Sequence, residues 1–213
     1  MKIVSIQVGL PKTVEFKGRQ VTTGIFKSPV VGPVFIGTTN LHGDRQADLS
    51  VHGGPDKAVY GYSLDAYPWW KNERPKDEFP YGAFGENLSI DSLPENSIFV
   101  GDTYEVGSAI LQAVQPRFPC YKLGVKFNDM SVVKTFMRSE RPGVYFRVLQ
   151  EGLLSRNEDF KLIDQDPTRI SILKLFSIFH QSEIDRADLE EILQNKALAT
   201  EMRAQFSEVL KRL

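Results

Sequence analysis

The alternation of apolar and polar positions changes its period once along this chain of 213 residues. Up to about residue 165 the apolar residues alternate in short runs between Gly- and Pro-rich turns, which is typical of β-strands. Beyond that point they recur every three or four residues, which indicates amphipathic helices. We therefore predict a β-rich domain over residues 1–165 and a helical segment over residues 166–213, with Pro167 at the boundary.

Short strands dominate the first part. The strand pattern covers Ile3–Val8, 24–30, 34–37, 97–107, 109–114 and 143–149. Two helices are predicted among these strands, one that follows Ser63 as its N-cap and one over residues 129–138. Many short strands with so few helices predict a mainly β, α+β fold built on a closed β-barrel, rather than a doubly wound sheet.

Three short helices are predicted after the boundary. The first follows a Thr168 cap, the second spans residues 185–193 after an Asp185 cap, and the third spans residues 200–210. His180, at the end of the first helix, is expected to interact with the helix dipole. Helices of this size bury little core alone, so we expect them to lean on the barrel or on a second subunit, as in a homodimer.

Composition and charge narrow the possible functions. The net charge of −1 gives no broad basic field for nucleic acid or an anionic membrane, and no stretch approaches the ~20 apolar residues of a membrane span. The N-terminus has no signal-peptide pattern, and a single cysteine excludes a disulfide framework and a Cys-rich metal site. We expect a cytoplasmic protein that has neither nucleic acid nor membrane as a partner.

Cys120 is the only cysteine and lies in a distinctive segment, QPRFPCYK over residues 115–122. Two prolines hold this segment out of a helix, and Arg117 and Lys122 place positive charge near the sulfur. Positive charge favours the thiolate, which is both a nucleophile and a ligand for soft metals. A small buried residue is the alternative, because it is the usual state of a lone cysteine. The sequence alone leaves both interpretations open.

The segment 42–57 mixes glycines with basic, acidic and histidine side chains. Glycines let the backbone approach a ligand, and Arg45 and Lys57 are suited to gripping a phosphate. Two alternatives stay open: a solvated polar loop, and a divalent-metal site whose spacing matches no ligand pattern. That metal site would comprise His42, Asp44, Asp48, His52 and Asp56.

Two further places carry candidate binding residues. Glu86 and Asn87 follow glycines in segment 81–88, where polar side chains can face a cavity. Arg141 lies in a basic turn ahead of a predicted strand and can complete an anion site. In both places an exposed turn is the alternative.

The segments 43–60, 84–88, 101–102 and 115–120, in this order, resemble the MOSC family, named for the C-terminal domain of molybdenum cofactor sulfurase. Within it they are most similar to the bacterial stand-alone YiiM-like proteins. The pattern continues through residues 143–149 and the three C-terminal helices, so the resemblance covers nearly the whole chain.

The resemblance implies a barrel of the pyruvate-kinase-barrel type that binds molybdenum cofactor (molybdopterin), with Cys120 as the catalytic residue and molybdenum ligand. The expected cofactor-binding residues are Arg45, His52, Lys57 and Arg117, followed by Glu86, Asn87 and Arg141. The family also carries an association with pyridoxal phosphate.

The activity implied is reduction of N-hydroxylated compounds, such as hydroxylaminopurine-type base analogues. Electrons would come from a separate reductase, because the chain has no flavin, haem or iron–sulfur motif. A non-catalytic carrier of the cofactor or its sulfur is the alternative. We expect the helical segment to be dispensable for cofactor binding and necessary for electron supply.

Overall fold

The computed structural model describes residues 1–48, 53–179 and 184–213. The described strands are β1 (Ile3–Val8), β2 (Lys12–Phe16), β3 (Arg19–Thr23), β4 (Ser28–Pro29), β5 (Val34–Ile36), β6 (Val59–Ser63), β7 (Leu88–Ile90), β8 (Thr103–Val106), β9 (Ala109–Pro116), β10 (Val144–Gln150), β11 (Gly152–Leu154) and β12 (Lys161–Asp164). The described α-helices are α1 (Tyr67–Glu73), α2 (Tyr121–Phe127), α3 (Ser131–Arg138), α4 (Ile172–Ile178), α5 (Arg186–Gln194) and α6 (Thr200–Leu210). Two short 3₁₀-helices, Pro55–Lys57 and Leu64–Ala66, flank β6. None of the helices in these ranges is both long enough and apolar enough to cross a bilayer.

Eight strands form one curled sheet in the order β12-β8-β9-β10-β6-β7-β1-β4. β6 and β7 pair in parallel, and the other neighbouring strands pair antiparallel. The sheet closes because the start of β1 meets the segment just ahead of β12. There a bridge pairs Lys2 with Asp159, and the backbone N–H of Ile3 donates to the carbonyl of Glu158 at 2.9 Å. The expected mainly β, α+β fold with a closed barrel is confirmed.

The barrel interior is apolar because alternate residues of each strand point inward. In β10, for example, Val144, Phe146 and Val148 are buried while the residues between them are partly exposed. Fully burying one such side chain stabilises the fold by about 1.5–3 kcal/mol. The result is a rigid frame whose loops at one end carry the candidate site.

A second cluster of buried side chains, mostly aromatic, lies under α1 and α3. Trp70 donates a hydrogen bond from Nε1 to the Tyr62 hydroxyl at 2.6 Å, and its ring lies 4.7 Å from that of Phe84. Phe136 of α3 completes the contact with Trp70. This cluster supports the loop that precedes β7.

Several helix boundaries differ from the sequence prediction. Ser63 caps the 3₁₀-helix Leu64–Ala66, so α1 begins only at Tyr67. α2 was not predicted; it starts directly after Cys120, which is its N-cap. The Thr168 cap is wrong, because the Oγ of Ser171 accepts from Lys174 N and starts α4. The Asp185 cap and the helices over 129–138, 185–193 and 200–210 are confirmed. His180 lies outside the described residues.

The three C-terminal helices share their apolar core with the barrel. Buried side chains of α4, α5 and α6 belong to the same cluster as those of β9 and β10. Asn195, which follows α5, donates to the carbonyl of Val100 at 2.8 Å. The helical segment therefore packs against the barrel, which is one of the two arrangements expected for helices of this size.

Candidate functional site

A pocket of about 670 Å³, counting the solvent at its mouth, opens beside the Cys120 segment. Loop residues from four parts of the chain line it, together with one residue each from β3, β6, β10, α2 and the 3₁₀-helix Pro55–Lys57. The lining residues are Thr23, Gly24, Ile25, Lys27, Arg45, Gln46, Ala47, Lys57, Tyr60, Gly85, Asn87, Arg117, Phe118, Cys120, Lys122 and Tyr145.

Cys120 is half-buried and lines this pocket between the end of β9 and the start of α2. Its backbone is extended, with φ −112° and ψ 174°, which suits the residue that ends a Pro-rich loop and starts a helix. The surrounding lining is polar and aromatic, which places the thiol at a cavity rather than in the aliphatic core.

Arg117 is a buried cation of the pocket, with an exposed fraction of 6%. Its guanidinium lies 5.0 Å from the Tyr60 ring centroid and 5.2 Å from that of Phe136, which is cation–π geometry. Its Nη1 has no hydrogen-bond partner among the described residues. A buried donor without a partner costs about 1–3 kcal/mol, and more when charged, so this atom indicates a ligand.

Two tyrosines that line the pocket, Tyr60 and Tyr145, lie close enough to Arg117 for its charge to act on them. Burial raises the pKa of Tyr145, although the nearby charge of Arg117 opposes the rise, and burial likewise raises the pKa of Tyr60. Tyr60 donates its hydroxyl hydrogen to the carbonyl of Pro142 at 2.8 Å. Both side chains are therefore neutral phenols at physiological pH; the Tyr60 oxygen can still accept a hydrogen bond, and Tyr145 can donate or accept one.

Asp44 joins several segments beside the pocket. Its buried carboxylate accepts from the backbone N–H of Gly9 at 2.8 Å and from Asn87 Nδ2 at 2.9 Å, and it forms a short ion pair with Lys27. Burial lowers the pKa of Lys27, and the charge of Asp44 opposes that shift. Asn87 in turn accepts from the backbone N–H of Tyr60 at 3.2 Å through Oδ1. Asp44 and Tyr60 are thereby tied to Gly9, which follows β1, and to Asn87, which precedes β7.

Lys126 of α2 lies beside the pocket and joins two of its loops. Its ammonium donates to the carbonyls of Ile25 and Gly82. Burial lowers the pKa of Lys126 to about 8, helped by the neighbouring charges of Arg117 and Lys27 and opposed by Glu86.

Glu86 lies behind the pocket, and it is not among the lining residues. Its carboxylate accepts from the backbone N–H of Gly82 at 2.7 Å and of Phe84 at 2.9 Å, and from the Tyr67 hydroxyl at 2.7 Å. Glu86 therefore stabilises the conformation of its own loop. Within that loop Gly85 has φ +80°, and a Cβ there would meet Ile25 Cγ1 at 2.8 Å, so glycine is required for the close approach of two lining segments.

The structure separates Arg141 from the other predicted site residues. Arg141 lines a different cavity, together with Glu95, and its guanidinium lies 5.2 Å from the Trp69 ring centroid. Its Nη1 donates to the carbonyl of Ser139 at 2.7 Å, which holds the side chain on the α1 side of the barrel. Arg45, Lys57, Asn87 and Arg117 do share one pocket with Cys120. His52 lies outside the described residues.

Lys27, Lys122, Tyr60 and Tyr145 were not among the predicted site residues. Lys122 had a local signal, since it is two residues from Cys120. Lys27 had none, because its partner Asp44 is distant in sequence. The two tyrosines line the pocket together because β6 and β10 are paired with Tyr60 opposite Tyr145.

The charge of the pocket favours an anion. Among the described residues that line it, five are cationic (Lys27, Arg45, Lys57, Arg117 and Lys122) and none is acidic. Within residues 1–48, 53–179 and 184–213, no group of three His, Cys, Asp or Glu side chains could hold a metal ion. The predicted alternative of a His/Asp divalent-metal site includes His52, which is outside those ranges.

Comparison with known proteins gives two family matches. The MOSC domain model matches residues 48–161, and the model of the YiiM-like, 3-alpha helix domain matches residues 170–212. The two matches adjoin the expected boundary at Pro167.

Related proteins cover the chain to different extents. Bacillus subtilis YflK is 37% identical over 99% of this chain and 95% of its own length. Escherichia coli YiiM is 35% identical over 67% of this chain. A Gibberella moniliformis protein named "Reductase" is 33% identical over 83% of this chain, which spans only 32% of that protein. The crystal structure of YiiM from Geobacillus stearothermophilus superposes with a TM-score of 0.83 and 33% identity over 98% of both chains.

Proposed function

The chain belongs to the MOSC domain family, which is associated with molybdenum cofactor, and from that premise we propose that the Cys120 pocket binds this cofactor and reduces N-hydroxylated compounds with it. Electrons would come from a separate reductase. In the reaction an N–O bond breaks, two electrons and two protons are taken up, and an amine and water form. The Gibberella relative named "Reductase" supports an oxidoreductase role.

The observation that carries this proposal is the buried, unpartnered Nη1 of Arg117 in a cationic pocket that Cys120 lines. The residues present fit the cofactor. The Cys120 thiolate is a soft ligand suited to the metal, and the cationic side chains suit the phosphate of the pterin. When bound, the cofactor supplies two-electron oxygen-atom chemistry.

The remaining residues bind and orient the ligands. Arg117 and Lys122 lie closest in sequence to Cys120 and hold negative charge near it, while Arg45 and Lys57 do so from the facing loop. Tyr145, kept neutral by burial, is placed to donate a hydrogen bond into the pocket. His52 keeps its predicted role as a cofactor contact. Glu86 and Arg141 have no such role here, because neither lines the pocket.

Replacing Cys120 tests the proposal. In Cys120→Ser, purified from cells that make molybdenum cofactor, we expect molybdenum content to fall at least about tenfold, because a hydroxyl is a far poorer soft-metal ligand than a thiolate. Reduction of an N-hydroxylated base with an artificial electron donor should fall in parallel, while the thermal unfolding midpoint stays near that of the wild type. Metal is measured by mass spectrometry.

The control is Tyr121→Phe, an equally small change at the adjacent, half-exposed residue. It should leave metal content and turnover unchanged. Wild-type molybdenum content in Cys120→Ser would refute the ligand assignment. Full metal content without turnover in the wild type would favour a carrier of the cofactor instead.

A further inference from the structure

The helical segment meets the pocket at the 3₁₀-helix Pro55–Lys57. The carboxylate of Asp56 accepts from the Nε of Arg147 at 2.8 Å and from the backbone N–H of Thr200, the first residue of α6, at 2.8 Å. Gln115 of β9 donates to the carbonyl of Asp56 at 3.0 Å. Burial raises the pKa of Asp56, but the hydrogen bonds from Thr200 and Arg147 outweigh burial and hold it below its usual value. The start of α6 is thereby fixed against a pocket-lining turn.

Lys57, the residue after Asp56, also contacts α6, and it lines the pocket. Its Nζ lies 2.5 Å from Oε2 of Glu201 on the first turn of α6. The Lys57 side chain is 17% exposed and that of Glu201 is 55% exposed. One of the five pocket cations therefore has its charge offset by a carboxylate from the helical segment.

We propose that Glu201 sets the anion affinity of the pocket by competing for Lys57, so that the helical segment is a working part of the site. The inference rests on the proposed function, since it takes the pocket as the site of a phosphate-bearing cofactor. A phosphate that enters the pocket and the Glu201 carboxylate would both pair with the Lys57 ammonium. Because Glu201 is more than half exposed, it can turn to water when the phosphate binds.

The expected size of the effect follows from the exposure of the pair. Partly exposed ion pairs are weak, and their charges are screened beyond about 10 Å at 0.1 M salt. Removing the Glu201 charge should therefore strengthen anion binding by about fivefold rather than by orders of magnitude. The gain should shrink as the salt concentration rises.

Pyrophosphate titration of the cofactor-free chain at low ionic strength, followed by calorimetry, tests the inference. Glu201→Gln should bind pyrophosphate about fivefold more tightly than the wild type. Lys57→Gln should bind it more weakly, and adding Glu201→Gln to Lys57→Gln should produce no further change. The matched control is Glu208→Gln, which removes the same charge from the same helix, where Glu208 pairs with Lys211 at 2.6 Å away from the pocket. The control should match the wild type.

Three outcomes would overturn the inference. They are equal affinities for Glu201→Gln and Glu208→Gln, weaker binding by Glu201→Gln, and no saturable pyrophosphate binding by the wild type. Unfolding midpoints of all variants establish that each is folded. Failure of the cofactor proposal is separate: Cys120→Ser with wild-type molybdenum content, alongside tighter pyrophosphate binding by Glu201→Gln, would leave an anion site under helical control without the assigned metal ligand.

Discussion

At the scale of single residues, Arg117 lowers the stability of the chain without a ligand and is placed to bind one. Its guanidinium is buried between Tyr60 and Phe136, with Nη1 unpartnered among the described residues. Such a group destabilises the fold unless a ligand satisfies it. Unsatisfied polar groups of this kind are common at binding sites, where residues that bind a ligand often lower the stability of the free protein.

Arg117→Met should therefore stabilise the cofactor-free chain while weakening its anion binding. We expect the free energy of unfolding to rise by about 1 kcal/mol, since the unpartnered buried donor is removed and the volume is largely kept. Pyrophosphate affinity should fall at least about tenfold, as expected for loss of a buried charge-assisted contact. Urea unfolding and calorimetry measure the two quantities.

Arg169→Met is the control, because the Arg169 guanidinium also stacks on an aromatic ring, Phe99 at 3.6 Å, but lies outside the pocket. It should leave pyrophosphate affinity unchanged and should not stabilise the chain, since Asp102 loses its ion-pair partner. A destabilised Arg117→Met with unchanged affinity would contradict the binding role of Arg117.

Which site residues were predictable depends on how far their partners lie along the chain. Arg117 and Cys120 are neighbours in a Pro-rich segment, and the segment around Arg45 and Lys57 has its own glycine pattern, so local sequence indicated them. Lys27 owes its position to Asp44, and only the fold brings the two together. Arg141 also looked suitable, but stacking on Trp69 holds it at another cavity, which no local pattern revealed.

At the scale of elements, one buried amide anchors the helical segment. Asn195, between α5 and α6, donates from Nδ2 to the carbonyl of Val100 at 2.8 Å and to the Thr168 hydroxyl at 2.7 Å. Its Oδ1 accepts from the backbone N–H of Ala197 at 2.9 Å and of Leu198 at 3.1 Å. The turn into α6 is thus formed by a side chain rather than by glycine.

Asn195→Ala should lower the free energy of unfolding by about 2–4 kcal/mol, because several buried polar groups lose their partner at once. Asn72→Ala, at an exposed position on α1, should change it by less than about 0.5 kcal/mol. Urea unfolding measures both. If the two variants had equal stability, Asn195 would not be the anchor inferred from its contacts.

The same anchor explains why the predicted cap of α4 was wrong. The Thr168 hydroxyl donates to Asp166 at 2.6 Å and accepts from Asn195, so it is not available to start a helix, and Ser171 does so three residues later. α2 escaped prediction for a different reason. The prolines just before it favoured a loop, and its seven residues alternate apolar and polar side chains, which is not a helical period. Helices with longer periodic patterns, such as α6, were predictable.

At the scale of the whole molecule, the barrel and the helices form one hydrophobic core. The helical segment contributes eleven buried apolar side chains to it: Ile170, Ile172, Leu175, Ile178, Leu189, Ile192, Ala197, Leu198, Ala199, Met202 and Phe206. α4 also supports the pocket itself, because Phe118, beside Arg117, stacks on Phe176 with ring centroids 5.3 Å apart. The expectation that the segment is dispensable for cofactor binding conflicts with these contacts.

A chain that ends at Asp166 should therefore fail to fold stably. Each buried Leu, Ile or Phe side chain contributes about 1.5–3 kcal/mol, and whole domains are stable by only about 5–15 kcal/mol, so losing the whole of this shared surface costs at least about as much as the total. We expect the truncated chain to aggregate or to unfold without a cooperative transition, and to retain no molybdenum. Size-exclusion chromatography, urea unfolding and metal analysis measure these properties.

Removal of only 211–213, which are exposed, is the control and should leave all three unchanged. A soluble, cooperatively unfolding 1–166 fragment that kept its metal would show that the barrel holds the site alone. Its pyrophosphate affinity would then have to exceed that of the full chain if Glu201 acts as inferred, because the truncation removes Glu201 and leaves Lys57 in place.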